Sequence, residues 1–142
     1  MIGYTIDLVR LHQLYERNFA ALLKLFPECL QEDHLWVVVG ASERSLVHFE
    51  VKQRSAYTTY LSITVGGDWG KRIALPNMEV RLYHDLNMAE VVFSHHSRTP
   101  DPLYAYPNPK MHQPNEKESV NQFLLDLIRF CDGPRSQRKL SH

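Results

Sequence analysis

The sequence is short of cysteine, of long apolar runs and of net charge, and it carries none of the common catalytic signatures. Only two cysteines, Cys29 and Cys131, occur in 142 residues, and neither belongs to a CxxC pair. A disulfide-dense secreted scaffold is thereby excluded, and the two thiols read as buried, reduced residues of a cytosolic protein. Sequence alone leaves a Cys29–Cys131 bridge open. No stretch approaches eighteen uninterrupted apolar residues, so no membrane span is expected. The segment Met1 to Asp7 lacks the basic region and apolar run of a signal peptide, and the expected location is the cytoplasm. Lys plus Arg and Asp plus Glu each number 16. Such balance offers no global field toward nucleic acid or an anionic membrane, and neither is an expected partner. GxSxG, Walker, GxGxxG, HExxH and HxH patterns are all missing. No cofactor is implied, and no residue is assigned as catalytic or as a metal ligand.

What is present is a clear change of period along the chain. From Asp7 to about Leu25, Leu8, Leu11, Tyr15, Phe19, Leu22 and Phe26 recur at helical spacing, with Thr5 or Asp7 as N-cap and Pro27 marking the end. Arg10, Arg17 and Lys24 fall on the other side. Leu35 to Val39 is a β-rich run closed by Gly40. Ser45 to Gln53 then alternates, Val47, Phe49 and Val51 against His48, Glu50 and Lys52. Tyr57 to Val65 does the same, Tyr57, Thr59, Leu61, Ile63 and Val65 against Thr58, Tyr60, Ser62 and Thr64. Arg54-Ser55-Ala56 joins those two runs as a hairpin.

A further hairpin runs from Val80-Arg81-Leu82-Tyr83-His84-Asp85 to Phe93. An even loop, Asp85 to Met88 or its middle two, pairs Leu82 with Val91 and Val80 with Phe93. A one-residue slip would turn every side chain over, so the even register is expected. It sets Arg81 diagonal to Glu90, within reach of an ion pair.

Five prolines between Ser97 and Pro114 forbid a regular element there except a brief edge strand at 103–106. A last helix follows, with Asn115 as N-cap, Glu118 three residues on, and Gly133-Pro134 as its stop. Its apolar face is Val120, Phe123, Leu124, Leu127 and Cys131. Residues 1–134 read as a single α+β domain and 135–142 as a flexible basic tail. The expected architecture is an antiparallel β-meander of about five strands, with the N-terminal and C-terminal helices packed on one face.

Several stretches carry a family resemblance. They are Tyr4-Thr5 with Asp7, Asn18-Phe19, Leu75-Pro76 with Met78, Val80 to Asp85, Ala89-Glu90-Val91 and Tyr106-Pro107-Asn108. His112-Gln113, Glu116-Lys117 and Asn121 to Leu124 complete the set. In these the chain resembles the YqiB-like family of uncharacterised gamma-proteobacterial proteins, a domain of unknown function. The similarity covers nearly the whole chain and attaches no activity to it.

Four constellations are candidates for function. Three histidine groups, His84 with Asp85, His95-His96 and His112, would suffice for zinc if they converged, but no spacing is a ligand pattern. Asp85 and Glu90 are candidate acid–base carboxylates, and Gly66-Gly67 with Gly70 lacks the following helix that a phosphate turn needs. The polar sheet face, with Arg81 and Tyr83 foremost, is a binding platform or a plain wetted surface. The long loop contributes Tyr106, Asn108, His112, Gln113 and Lys117 as site residues or as a stiffened strap. The favoured reading is a non-enzymatic accessory protein binding a protein partner or small molecule. The alternative is a small-molecule or nucleotide-related hydrolase using Arg81, His84, Asp85, Glu90 and His112 around one pocket.

Overall fold

The computed structural model describes residues 8–40, 45–66, 76–96 and 114–140, with side chains throughout except at 76, 93–96, 114 and 115. In order these form α1 (Leu8–Leu25), a 3-10 turn (Pro27–Leu30), β1 (His34–Val39), β2 (Ser45–Arg54), β3 (Thr58–Gly66), β4 (Pro76–Tyr83), β5 (Met88–His96), α2 (Pro114–Cys131) and β6 (Ser136–Lys139). The strands make one antiparallel sheet in the order β5-β4-β3-β2-β1-β6. The architecture is α+β, as the periodicity predicts.

Strand alternation sets the two faces. Val47, Phe49 and Val51 of β2 and Leu61, Ile63 and Val65 of β3 are buried. Met78, Val80 and Leu82 of β4 with Ala89 and Val91 of β5 continue that layer. Phe19, Leu22 and Leu25 of α1 and Val120, Leu124, Leu127 and Ile128 of α2 pack on it in one cluster. Removing each large side chain from water contributes about 1.5–3 kcal/mol, enough in sum to hold both helices on that face. Leu8 and Tyr57, read from period as apolar-face residues, are exposed. Each sits where its element begins, ahead of the opposing layer.

The β4–β5 hairpin keeps the expected parity but not the expected register. Leu82 pairs with Ala89, Arg81 with Glu90 and Val80 with Val91. The loop is His84 to Asn87, with Asn87 at φ 54° and a Leu86 N–H to Tyr83 C=O bond of 3.2 Å. Asn tolerates that left-handed conformation, which starts the return strand two pairings earlier than alternation suggests. A bulge at Glu79/Val80 then shifts the remainder, so Phe93 pairs with Glu79 rather than Val80.

Within the tail, Ser136–Lys139 form a strand. Ser136 Oγ donates to Gly133 C=O at 2.6 Å in a tight reversal, and Ser136 to Lys139 pair with Val39 to Trp36. Ser-Gln-Arg-Lys has little strand propensity, whereas β1 would otherwise leave a long apolar edge unpaired. Arg138 anchors the pairing by a two-pronged contact to Glu28 at 3.0 and 3.1 Å and a 3.1 Å bond to Leu25 C=O. That contact holds the Glu28 carboxyl below its ordinary pKa.

A pair of buried amides lies inside the apolar layer. Asn18 of α1 and Asn121 of α2 are both fully buried. Asn18 Nδ2 donates to Asn121 C=O at 3.3 Å and Oδ1 at 3.4 Å, while Asn121 Oδ1 accepts the Val91 N–H at 2.9 Å. Asn121 Nδ2 donates to Lys117 C=O at 2.8 Å. The amide pair therefore joins two helices to β5. Asn121→Ala strands the Val91 N–H and leaves Asn18 Nδ2 only the backbone C=O of residue 121, and should cost about 3 kcal/mol. Urea unfolding checks this: the midpoint should fall at unchanged m, while the exposed control Gln122→Ala stays within about 0.5 kcal/mol of wild type.

Candidate functional site on the open sheet face

Helices occupy one face, and the other carries the polar half of every strand. The ten residues that alternation assigns to it, from His48 through Glu90, are all half-buried or exposed. On its β3–β4 side, Gln53, Ser55, Thr58, Tyr60, Arg81 and Tyr83 line a hollow of about 250 Å³. A bulge at Lys52 places Gln53 opposite Tyr60, and a Ser55 N–H to Thr58 C=O bond of 2.8 Å closes the turn beside them.

The two tyrosines are held from outside the hollow. Tyr60 donates its hydroxyl to Glu79 at 2.7 Å, and Tyr83 donates to Glu90 at 2.7 Å. Burial, reinforced by the Glu79 carboxylate, pushes Tyr60 up to about 12, and burial with Glu90 raises Tyr83 likewise. Both hydroxyls are thus fixed donors rather than bases. Arg81 is exposed, with its guanidinium 5.4 Å over the Tyr60 ring. Expected to pair with Glu90, it forms no ion pair with a carboxylate among the described residues. Instead Lys117 of α2 reaches Glu90 Oε2 at 3.4 Å. Glu90 is already engaged by Tyr83 and Lys117, and the Arg81 guanidinium lies 5.4 Å from the Tyr60 ring centre.

His84 lies elsewhere. It has the parity of Val80 and Leu82, and its Nε2 meets Thr59 Oγ1 at 2.7 Å with the ring edge-on to Phe19 of α1. A hydroxyl and an imidazole at that distance have nucleophile–base geometry, but Thr59 is 1% exposed and closed to substrate. Asp85 is exposed in the turn. Tyr83 and Lys117 meet on Glu90, Arg81 stands opposite Glu90, and His84 is bonded to Thr59 beside Phe19. Tyr106, Asn108, His112 and Gln113 lie outside the described residues, as do the side chains of His95 and His96. Neither thiol is a usable nucleophile: both are free and buried, and burial raises Cys29 and pushes Cys131 up to about 12.

Sequence reading passed over one group on this face. His34 and Trp36 of β1 stand opposite Glu50 and His48 of β2. The signal is cross-strand: pairing the two runs through the turn after Gly40 would have shown it, whereas spacing within either run shows nothing.

Tyr15 is also raised, mainly by burial and then by Glu90. Tyr15, Tyr60 and Tyr83 hold their protons more tightly folded than unfolded, where the value is near 10. Their contribution is complete below pH 10 and is lost as pH climbs toward the folded values. Urea midpoints should hold steady up to about pH 10 and then fall by about pH 12. An unchanged midpoint over that range would contradict these contacts.

A family described as "Protein of unknown function (DUF1249)" matches residues 21–136. Uncharacterized proteins named YqiB from Escherichia coli strains K12, O6:H1 and O157:H7 are each 36% identical over 133 residues, covering 92% of this chain and 92% of theirs. No solved structure matches. With β1 to β5, the hollow and the β4–β5 hairpin falling inside the matched span, the chain belongs to the DUF1249 family of proteins of unknown function.

Proposed function

We infer that the chain is a non-enzymatic binding protein of the cytoplasm that receives a carboxylate-bearing segment of a partner protein on its open sheet face. The observation that carries this reading is Arg81: exposed, laid over Tyr60, and placed at a hollow rimmed by the hydrogen-bonding side chains of Gln53, Ser55 and Thr58. An exposed guanidinium 5.4 Å from an aromatic ring centre can offer N–H groups to a planar, two-pronged partner, which a carboxylate is. Tyr60 and Tyr83 stiffen that seat through Glu79 and Glu90, so little side-chain order remains to be imposed on binding. The same contacts weigh against catalysis, because they occupy the hydroxyls that a reaction would need.

A photo-crosslinking residue at position 55, on the rim of the hollow, tests the reading in cells. The expected result is a discrete protein adduct that disappears with Arg81→Glu and persists with Arg129→Glu, an exposed change on α2. With the captured partner in hand, Arg81→Ala should weaken its binding by about tenfold or more. Identical adducts with and without Arg81→Glu would contradict the proposal.

A further inference from the structure

We propose that His34, His48 and Glu50 form a binding site for one divalent first-row transition-metal ion on the open face of β1 and β2. The site is separate from the Arg81 hollow and does not rest on the binding role given to it.

The register of β1 and β2 makes the group. His34 stands opposite Glu50 and Trp36 opposite His48, so one ligand atom from each of His34, His48 and Glu50 comes within 4.8 Å of the others. All three residues are half-buried, partly withdrawn from water and still open to an ion.

Imidazole geometry carries the argument further. His34 Nδ1 and His48 Nε2 are 2.9 Å apart. The ring centres are 5.1 Å apart with planes within 10°. Ring centres that far apart, with nitrogens that close, mean near-coplanar rings meeting edge to edge. The two nitrogens face each other across one shared proton, with the Glu50 carboxylate close by. An ion ~2.05 Å from both nitrogens would see them about 90° apart but would lie off the line on which their lone pairs now face each other, so it enters with a turn of the imidazole rings.

Trp36 supports this arrangement. Its ring is 4.8 Å from His48 at 7° and 5.0 Å from His34 at 15°, which fixes the planes of both imidazoles. Two imidazoles and a carboxylate are a donor set used for zinc and for non-haem iron, with further positions open to water. When the ion enters, the proton shared by the facing nitrogens leaves that position, and the ring that carried it holds it on its other nitrogen. No net electron transfer is involved.

Lys52 acts against the ion. Its Nζ lies 3.1 Å from Glu50 Oε1, orienting the carboxylate while competing for it. This makes the affinity adjustable from a residue that ligates nothing.

The test uses the full chain, with Zn²⁺ in competition against a chromophoric chelator and Co²⁺ as a spectroscopic probe. Wild type should bind one ion whose Co²⁺ form quenches Trp36 fluorescence, an effect absent in Trp36→Phe. His48→Ala should weaken this binding by about a hundredfold and Glu50→Gln by about tenfold. Lys52→Gln should tighten it, a gain that no structural role of the lysine would produce. Three results would overturn the site: no ion retained by wild type, His48→Ala binding as wild type does, or Lys52→Gln leaving the affinity unchanged. An ion held by histidines elsewhere gives the second result.

Discussion

Everything on the helix side turns on one buried hydrogen bond, from the Val91 N–H of edge strand β5 to Asn121 Oδ1 of α2. An edge strand presents backbone donors and acceptors that invite further pairing. Here a side chain satisfies one of them, and Asn18 links the same amide to α1. Apolar contacts alone would let the helices slide over a layer of Val, Leu and Ile. A directional bond inside that layer fixes their position, because misplacing it leaves a buried polar group unsatisfied. Asn18 Oδ1 lacks a partner among the described residues, a cost accepted for the register that the pair imposes.

Both helices cover one face and reach round the β5 edge to Glu90, which leaves the β1–β4 part of the opposite face for other uses. Its polar residues are ordered rather than merely wetted. Tyr60 with Glu79, Tyr83 with Glu90 and Lys117, and His34 with His48 each link neighbouring strands or a strand to α2. The β3–β4 part presents a cation over an aromatic ring. The β1–β2 part presents three potential ligands around another ring. A surface meant only for water needs no such pairing.

Alternation made most of the sheet legible, since burial on one face at period 2 follows directly from the pleat. Parity of the β4–β5 hairpin followed from the same rule, but register did not, because Asn87 and the Glu79/Val80 bulge act through backbone conformation. The side on which His84 lies follows from extending the alternation of Val80 and Leu82 by one more step. β6 was invisible because Ser-Gln-Arg-Lys becomes a strand only through the edge of β1 and the Arg138–Glu28 contact. The role of Asn121 was not legible, since its partner is a backbone group 30 positions away. The His34 cluster escaped because its chemistry depends on strand pairing rather than on spacing within the sequence.

Amide hydrogen exchange at Val91 tests most directly whether the helices cap the sheet edge. Capped by Asn121, this edge-strand amide should exchange as slowly as those of central β3, opening only with global unfolding. Exchange at the rate of an open edge, orders of magnitude faster than β3, would contradict the account.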